Sequence, residues 1–272
     1  MPTDLHVFAL PAVPEVAAGA DLGALIVEAV ARAGRTIEPG DVVVVAQKVV
    51  SKAEGAVVRL DEVTPSARAE EWAAAHGKDP RVVEVVLRES KRIVRMARGI
   101  LIAETRHGFV CANAGVDASN VPPGYVTILP RDPDASAAGI REAVCRQVRL
   151  KPDTTGTTVR LKPDTTGATD GAELGVIVSD TFGRPWREGV VNVALGVAGL
   201  RPLLDYRGCR DTYGRELSST VMAIADEIAA AAELVMGKTA RLPVAIVRGA
   251  GEWLGDGRGA QLVRDASLDL FR

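Results

Sequence analysis

The chain has 272 residues, 47% of them hydrophobic and 25% charged, with a formal net charge of −2. That length and apolar share allow a sizeable core in one large domain or two small ones, while the balanced charge and 4% aromatic content exclude an extended nucleic-acid footprint. Cys111, Cys145 and Cys209 are scattered and odd in number, as are His6, His76 and His107, which speaks against a disulfide framework, a zinc site or a His-based metal centre and for a reducing cytoplasm.

Leu5–Leu10 reads as a first strand broken by Pro11 and Pro14, and Asp21 as the cap of a helix over Leu22–Ala33 that Gly34 ends. Pro39-Gly40-Asp41 then turns the chain into four valines, Val42–Val45, a buried and central strand. AQKVVSKAEG continues as a helix closed by Gly55, so Gln47, Lys48 and Lys52 lie at or just past the strand end, with the two lysines one turn apart on a shared face. Thr64-Pro65 and Asp79-Pro80 predict capped helix starts for Pro65–Ala75 and Pro80–Lys91. Ile93–Met96, Ile100–Thr105 and Phe109–Ala112 read as a meander. It delivers the loop NAGVDASNV, in which Asn113, Asp117, Ser119 and Asn120 concentrate polar side chains. The N-terminal residues lack a leader pattern and no stretch approaches the ~18 apolar residues of a spanning helix, so neither secretion nor membrane insertion is expected.

Residues 148–158 and 159–169 form a tandem repeat that differs only at Thr157 and Ala168. Two copies fall short of the about three units a stacked core needs, so 149–171 reads as a protruding, dispensable insertion in an otherwise single domain spanning 1–272. In VIVSDTFGRPWREGV, residues 176–190, an apolar strand ends at Asp180 and Thr181, oxygen donors suited to a hard divalent cation. Arg184 and Arg187 follow as forks suited to carboxylate or phosphate, which implies an anionic substrate. An alanine-rich helix is predicted from about Ser219 to Met236, with Val221, Ile224, Ala225, Ile228, Ala232 and Val235 along its buried stripe and Gly237 as its stop. Leu242–Arg248 reads as a last strand opening into a glycine-rich loop, and the chain contains no G-x-x-x-x-G-K-[ST] phosphate loop.

Four stretches in order, DVVVVAQKVVSKAEG, CANAGVDASNV, VIVSDTFGRPWREGVVNVALGVAGL and DTYGRELSSTVMAIADEIAAAAELVMGK, resemble the coenzyme F420-0:γ-glutamyl ligase family. The resemblance covers nearly the whole chain apart from 149–171. It implies an intertwined, mixed α/β fold that is neither P-loop nor Rossmann, assembled as a homodimer. It further implies a GTP-dependent ligase that adds L-glutamate through γ-linkage to F420-0, releases GDP and phosphate, requires Mn²⁺ or Mg²⁺ and is activated by K⁺. Position by position, Asp117, Asp180 and Thr181 match metal-binding residues. Leu10, Pro11, Ala12, Val13, Gln47, Lys48, Lys52 and Asn120 match nucleotide-binding positions, as does the loop with Gly237, Lys238, Thr239 and Ala240. Some relatives carry an acid near a second metal in that loop, where this chain has Lys238.

A carboxylate becomes an electrophile for amide formation once its oxygen is phosphorylated, so an acyl phosphate is the expected intermediate. Asp117, Asp180 and Lys52 are its catalytic candidates, with Lys48 adding positive charge. Arg184, Arg187 and Arg215 are the candidates for the substrate's carboxylate and phosphodiester. The competing readings are a carboxylate–amine ligase for another substrate and a nucleotide-binding regulatory protein that kept the site without turnover. Ending at Phe271-Arg272, the chain reads as the ligase alone, without the flavin-binding reductase domain that some relatives carry.

Overall fold

The computed structural model describes residues 4–11, 13–150 and 174–269. Ala12 and residues 151–171 of the repeat lie outside them. The chain runs through β1 (His6–Ala9), α1 (Leu22–Arg32), β2 (Val42–Ala46), α2 (Gln47–Ala53) and β3 (Val57–Arg59). It continues through α3 (Ala67–His76), α4 (Pro80–Glu89), β4 (Ser90–Ala97), β5 (Ile100–Thr105), β6 (Val110–Ala112) and β7 (Tyr125–Thr127). The remainder is α5 (Pro133–Leu150), β8 (Gly175–Gly183), β9 (Val190–Ala198), β10 (Leu204–Asp205), β11 (Val221–Met222), α6 (Ile224–Met236) and β12 (Val244–Arg248).

The main sheet has the order β1-β12-β2-β8-β9. Among the described residues its only parallel pair is β2 with β8, so the mixed α/β class expected from the sequence holds. All four valines of β2 are fully buried, because both faces of the sheet are covered. Val43 and Val45 pack with Ile26, Val30 and Val144 from α1 and α5, whereas Val42 and Val44 pack with Ile228 and Ala229 from α6. Each such valine contributes ~1.5–3 kcal/mol by leaving water. The helices approach closely because small residues allow it. A Cβ on Gly23 of α1 would lie 2.3 Å from Ala143 Cβ of α5, and one on Gly196 of β9 would lie 1.9 Å from the Pro133 carbonyl oxygen. A third cluster, with Leu60, Ala69, Val83, Val86, Leu101 and Val126, holds α3 and α4 against the three-stranded sheet β4-β5-β6 and the β3-β7 pair.

Caps set several boundaries. Asp21 Oδ1 accepts from Ala24 N at 3.0 Å and Asp79 Oδ1 from Arg81 N at 2.9 Å, as their positions before the helices suggest. The start predicted at Thr64-Pro65 moves to Ala67, because Ser66 is the cap: its Oγ accepts from Ala69 N and donates to Glu84 Oε2 of α4. Helix α4 stops at Glu89 rather than Lys91, since Ser90 and Arg92 already pair with Thr105 and Glu104 of β5. The long helix begins at Ile224, not Ser219, because Val221 and Met222 pair with Asp205 and Leu204. Helix α5 and strand β9 have no counterpart in the sequence reading, and the repeat's first three residues, Val148, Arg149 and Leu150, close α5.

Candidate active site

Strand β8 does not end at Asp180. It runs on to Gly183 because β9 pairs with it throughout, Asp180 opposite Val193 and Thr181 opposite Asn192. What ends is the parallel partner: β2 last pairs at Ala46 with Ser179, so Asp180 is the first residue of β8 beyond it. There β2 turns directly into α2, which puts Lys48 at the same sheet end.

Asp117 arrives from the third cluster. Asn113, Ala114 and Gly115 adopt left-handed backbone, a tight turn that swings the chain out of β6. Asp117 is then clamped by reciprocal backbone bonds with Thr127, N to O 3.1 Å and O to N 2.9 Å. Its Oδ2 meets Lys48 Nζ at 2.6 Å, and its Oδ1 accepts from Ser119 N at 2.7 Å. Lys48 also donates to Ser119 Oγ. Burial pushes the Asp117 carboxyl up, but the Lys48 ammonium and the Ser119 N–H outweigh it and the net direction is down.

Asp180 behaves in the opposite way. Burial pushes its carboxyl up to about 6, the Thr181 N–H and the charges of Lys48 and Lys238 oppose that rise, and Asp117 adds to it. The neighbouring Cys111 thiol is pushed up to about 12, by burial first and by Asp180 second, so it is inert as a nucleophile at neutral pH. Lys238 Nζ reaches Thr181 Oγ1 at 3.0 Å from the loop after α6. Thr181 Oγ1 in turn donates to Asn192 Oδ1 at 2.9 Å.

Five separate segments thus converge on one sheet end: Lys48 from α2, Asp117 from the β6–β7 loop, Asp180 and Thr181 from β8, Asn192 from β9 and Lys238 after α6. Lys52, one turn beyond Lys48, pairs with Glu15 of the segment that follows Leu10–Val13. Within that segment Leu10 is buried, its N–H donating to Val244 O at 2.8 Å, while Pro11 is exposed and Val13 half-buried. Gln47 is turned into the interior, its Nε2 donating to Ser51 Oγ and to Ile128 O at 3.0 Å. Asn120 is exposed with left-handed backbone, and Gly237, Thr239 and Ala240 are exposed beside Lys238. The three arginines occupy exposed turns: Arg184, which donates to Glu188 O at 2.8 Å, and Arg187 in the β8–β9 connection, and Arg215 between β10 and β11.

The donor set fits a hard divalent cation. Two carboxylates and a hydroxyl are oxygen donors, and Asp180 and Asp117 disfavour each other's charge, which a cation between them would relieve. Among the described residues no group of three or more His, Cys, Asp or Glu side chains is arranged to hold a metal. Two carboxylates and one hydroxyl are fewer ligands than such a cation takes, which would leave positions for phosphate and water. Sequence reasoning missed Glu15, Asn192 and Glu233. For Asn192 a signal existed, since it is the one polar side chain in the apolar run VVNVALGVA.

Comparison with known proteins adds a family match. The model of the F420-0:Gamma-glutamyl ligase family matches residues 12–161 and 152–249, two segments that overlap inside the tandem repeat. The chain is 47% identical over 262 residues to the coenzyme F420:L-glutamate ligase of Methanothermobacter thermautotrophicus, covering 95% of each chain. It is 45% identical over 277 residues to the protein of the same name from Methanopyrus kandleri, covering 100% of this chain and 99% of that one. The Archaeoglobus fulgidus protein of that name is 39% identical over 269 residues, covering 98% of this chain and 96% of the relative.

Proposed function

This chain belongs to the F420-0:gamma-glutamyl ligase family, and from that premise we propose that it joins L-glutamate to F420-0 at the expense of GTP, releasing GDP and phosphate. The observation that carries the reading is the meeting of Lys48 and Lys238 with Asp117, Asp180 and Thr181 at one sheet end. Carboxylates alone would repel a nucleotide and lysines alone would only bind it. Together they suit a bound triphosphate that must be both held and neutralised.

In this mechanism the γ-phosphoryl group passes to a carboxylate oxygen of F420-0, giving an acyl phosphate and GDP. The glutamate amine then attacks the acyl carbon and loses a proton as the C–N bond forms, and the acyl C–O bond breaks with its electron pair leaving on phosphate. Lys48 and Lys238 lie near enough to Asp180 to balance its charge, and Lys52 extends the positive face toward Glu15 and the Leu10–Val13 segment. Asp117, Asp180 and Thr181 would hold Mn²⁺ or Mg²⁺, which supplies charge neutralisation at the phosphates when bound. The K⁺ that the family resemblance implies has no residue assigned to it.

A cytoplasmic homodimer completes the proposal. No helix among the described residues is long and apolar enough to cross a membrane. The dimer rests on the family resemblance.

The test is mass spectrometry of the purified chain incubated with F420-0, L-glutamate, GTP and Mn²⁺, omitting each in turn. A GTP-dependent gain of one or more glutamyl units is expected. GTP hydrolysis driven by a different acid, with F420-0 unchanged, would overturn the reading in favour of a ligase for another substrate.

A further inference from the structure

Strand β9 carries a buried polar side chain, Asn192, only 4% exposed between apolar neighbours. Such a group persists where its bonds are satisfied, and here the partners fix its orientation by elimination. The Glu233 carboxylate of α6 only accepts, so the amide nitrogen faces it, Nδ2 to Oε2 3.1 Å, with Ser179 Oγ at 3.5 Å. Oδ1 is left facing Thr181 Oγ1 at 2.9 Å, and it too only accepts. The single hydroxyl proton of Thr181 is therefore directed at Asn192. Lys238 only donates, and it takes one lone pair of the same oxygen at 3.0 Å. With its proton committed to Asn192 and one lone pair to Lys238, Thr181 keeps one lone pair to offer a ligand, the state that an oxygen donor to a cation needs.

We infer that Asn192 is a positioning residue for the cation site, directing the Thr181 hydroxyl, and that Glu233 holds Asn192 in that role. The inference rests on the reading of Thr181 as a donor to a divalent cation. Without Asn192 the hydroxyl is free to turn its proton toward the cation and oppose binding.

The experiment measures Mn²⁺ binding to the full chain by electron paramagnetic resonance of the free ion, without nucleotide or F420-0. Wild type, Asn192→Ala, Thr181→Val and the double variant form a cycle. Asn192→Ala is expected to raise the Mn²⁺ dissociation constant about tenfold, the size typical of losing an outer partner of a metal ligand, and Thr181→Val, which removes the donor oxygen itself, at least as much. The double variant should bind no worse than Thr181→Val alone, because Asn192 acts through the hydroxyl, and Thr181→Ser should restore most of the affinity. Additive losses, unchanged affinity in Asn192→Ala or absence of Mn²⁺ binding in the wild type would each overturn the inference. Should Asn192→Ala not fold, Glu233→Ala at its half-buried helical position takes its place in the cycle: a loss that vanishes in the Thr181→Val background supports the inference, and an additive loss overturns it. Glutamyl transfer by the wild type is assayed separately: its absence with the coupling intact overturns only the ligase reading, and its presence with additive losses overturns only the inference.

Discussion

Asp180 and Asp117 show how two like side chains at one site acquire different properties from their surroundings. Burial dominates at Asp180 and raises its carboxyl to about 6, whereas Lys48 and Ser119 hold Asp117 down despite its burial. Asp180→Asn is expected to abolish glutamyl transfer, at least a hundredfold by the size of comparable electrostatic losses. The neutral amide replaces a charge that burial disfavours, so the melting temperature should not fall. Side-by-side glutamylation assays and thermal melts check both halves, and a fully active variant would remove Asp180 from the chemistry.

Among the elements, α3 and α4 depend on a charged contact that pH can switch off. Glu84 accepts from Ser66 Oγ at 2.6 Å, Ser66 N at 2.9 Å and Arg88 Nε at 3.0 Å, and Ser66 is itself the cap of α3. The Ser66 hydroxyl, then its N–H, hold the Glu84 carboxyl below its ordinary value of 4.5. A depressed folded pKa means stability that is present above that ordinary value and lost as pH falls through the folded one. Glu84→Gln should therefore lower stability by about 1 kcal/mol at pH 7, as one charge-assisted contact is weakened. The gap to wild type should narrow as pH falls past 4.5 and close at a pH below the depressed folded value, where both side chains are neutral. Urea unfolding at the two pH values checks the sign, and a gap that persists in acid would show that Glu84 acts through packing.

Across the whole molecule, the site draws on two separately packed regions, since Asp117 is pinned to Thr127 of β7 while Asp180 lies in the main sheet. The repeat begins inside α5, whose last residues are Val148, Arg149 and Leu150, so its removal has to spare them. Deleting residues 151–171 with a short glycine linker is expected to leave glutamyl transfer within about twofold and the melting temperature nearly unchanged, because two repeat copies fall short of the about three units a stacked core needs. Loss of activity, or of the proposed dimer on a sizing column, would show that the repeat packs on the site or on that interface. The elements legible in the sequence are those governed by neighbours along the chain: the caps Asp21 and Asp79, the valine strand, the turns of the meander and the polar identity of Asp117, Asp180, Thr181 and Lys48. Periodicity and capping act over a few residues, so those readings survive folding. Pairing partners decided the rest. Strand β8 runs past Asp180 because β9 lies beside it, and Val221–Met222 leave the helix because β10 offers hydrogen bonds. Lys238 meets Thr181 across 57 positions and Glu233 meets Asn192 across 41, distances over which no local pattern carries information, so only the packing of α6 against β9 could bring them together.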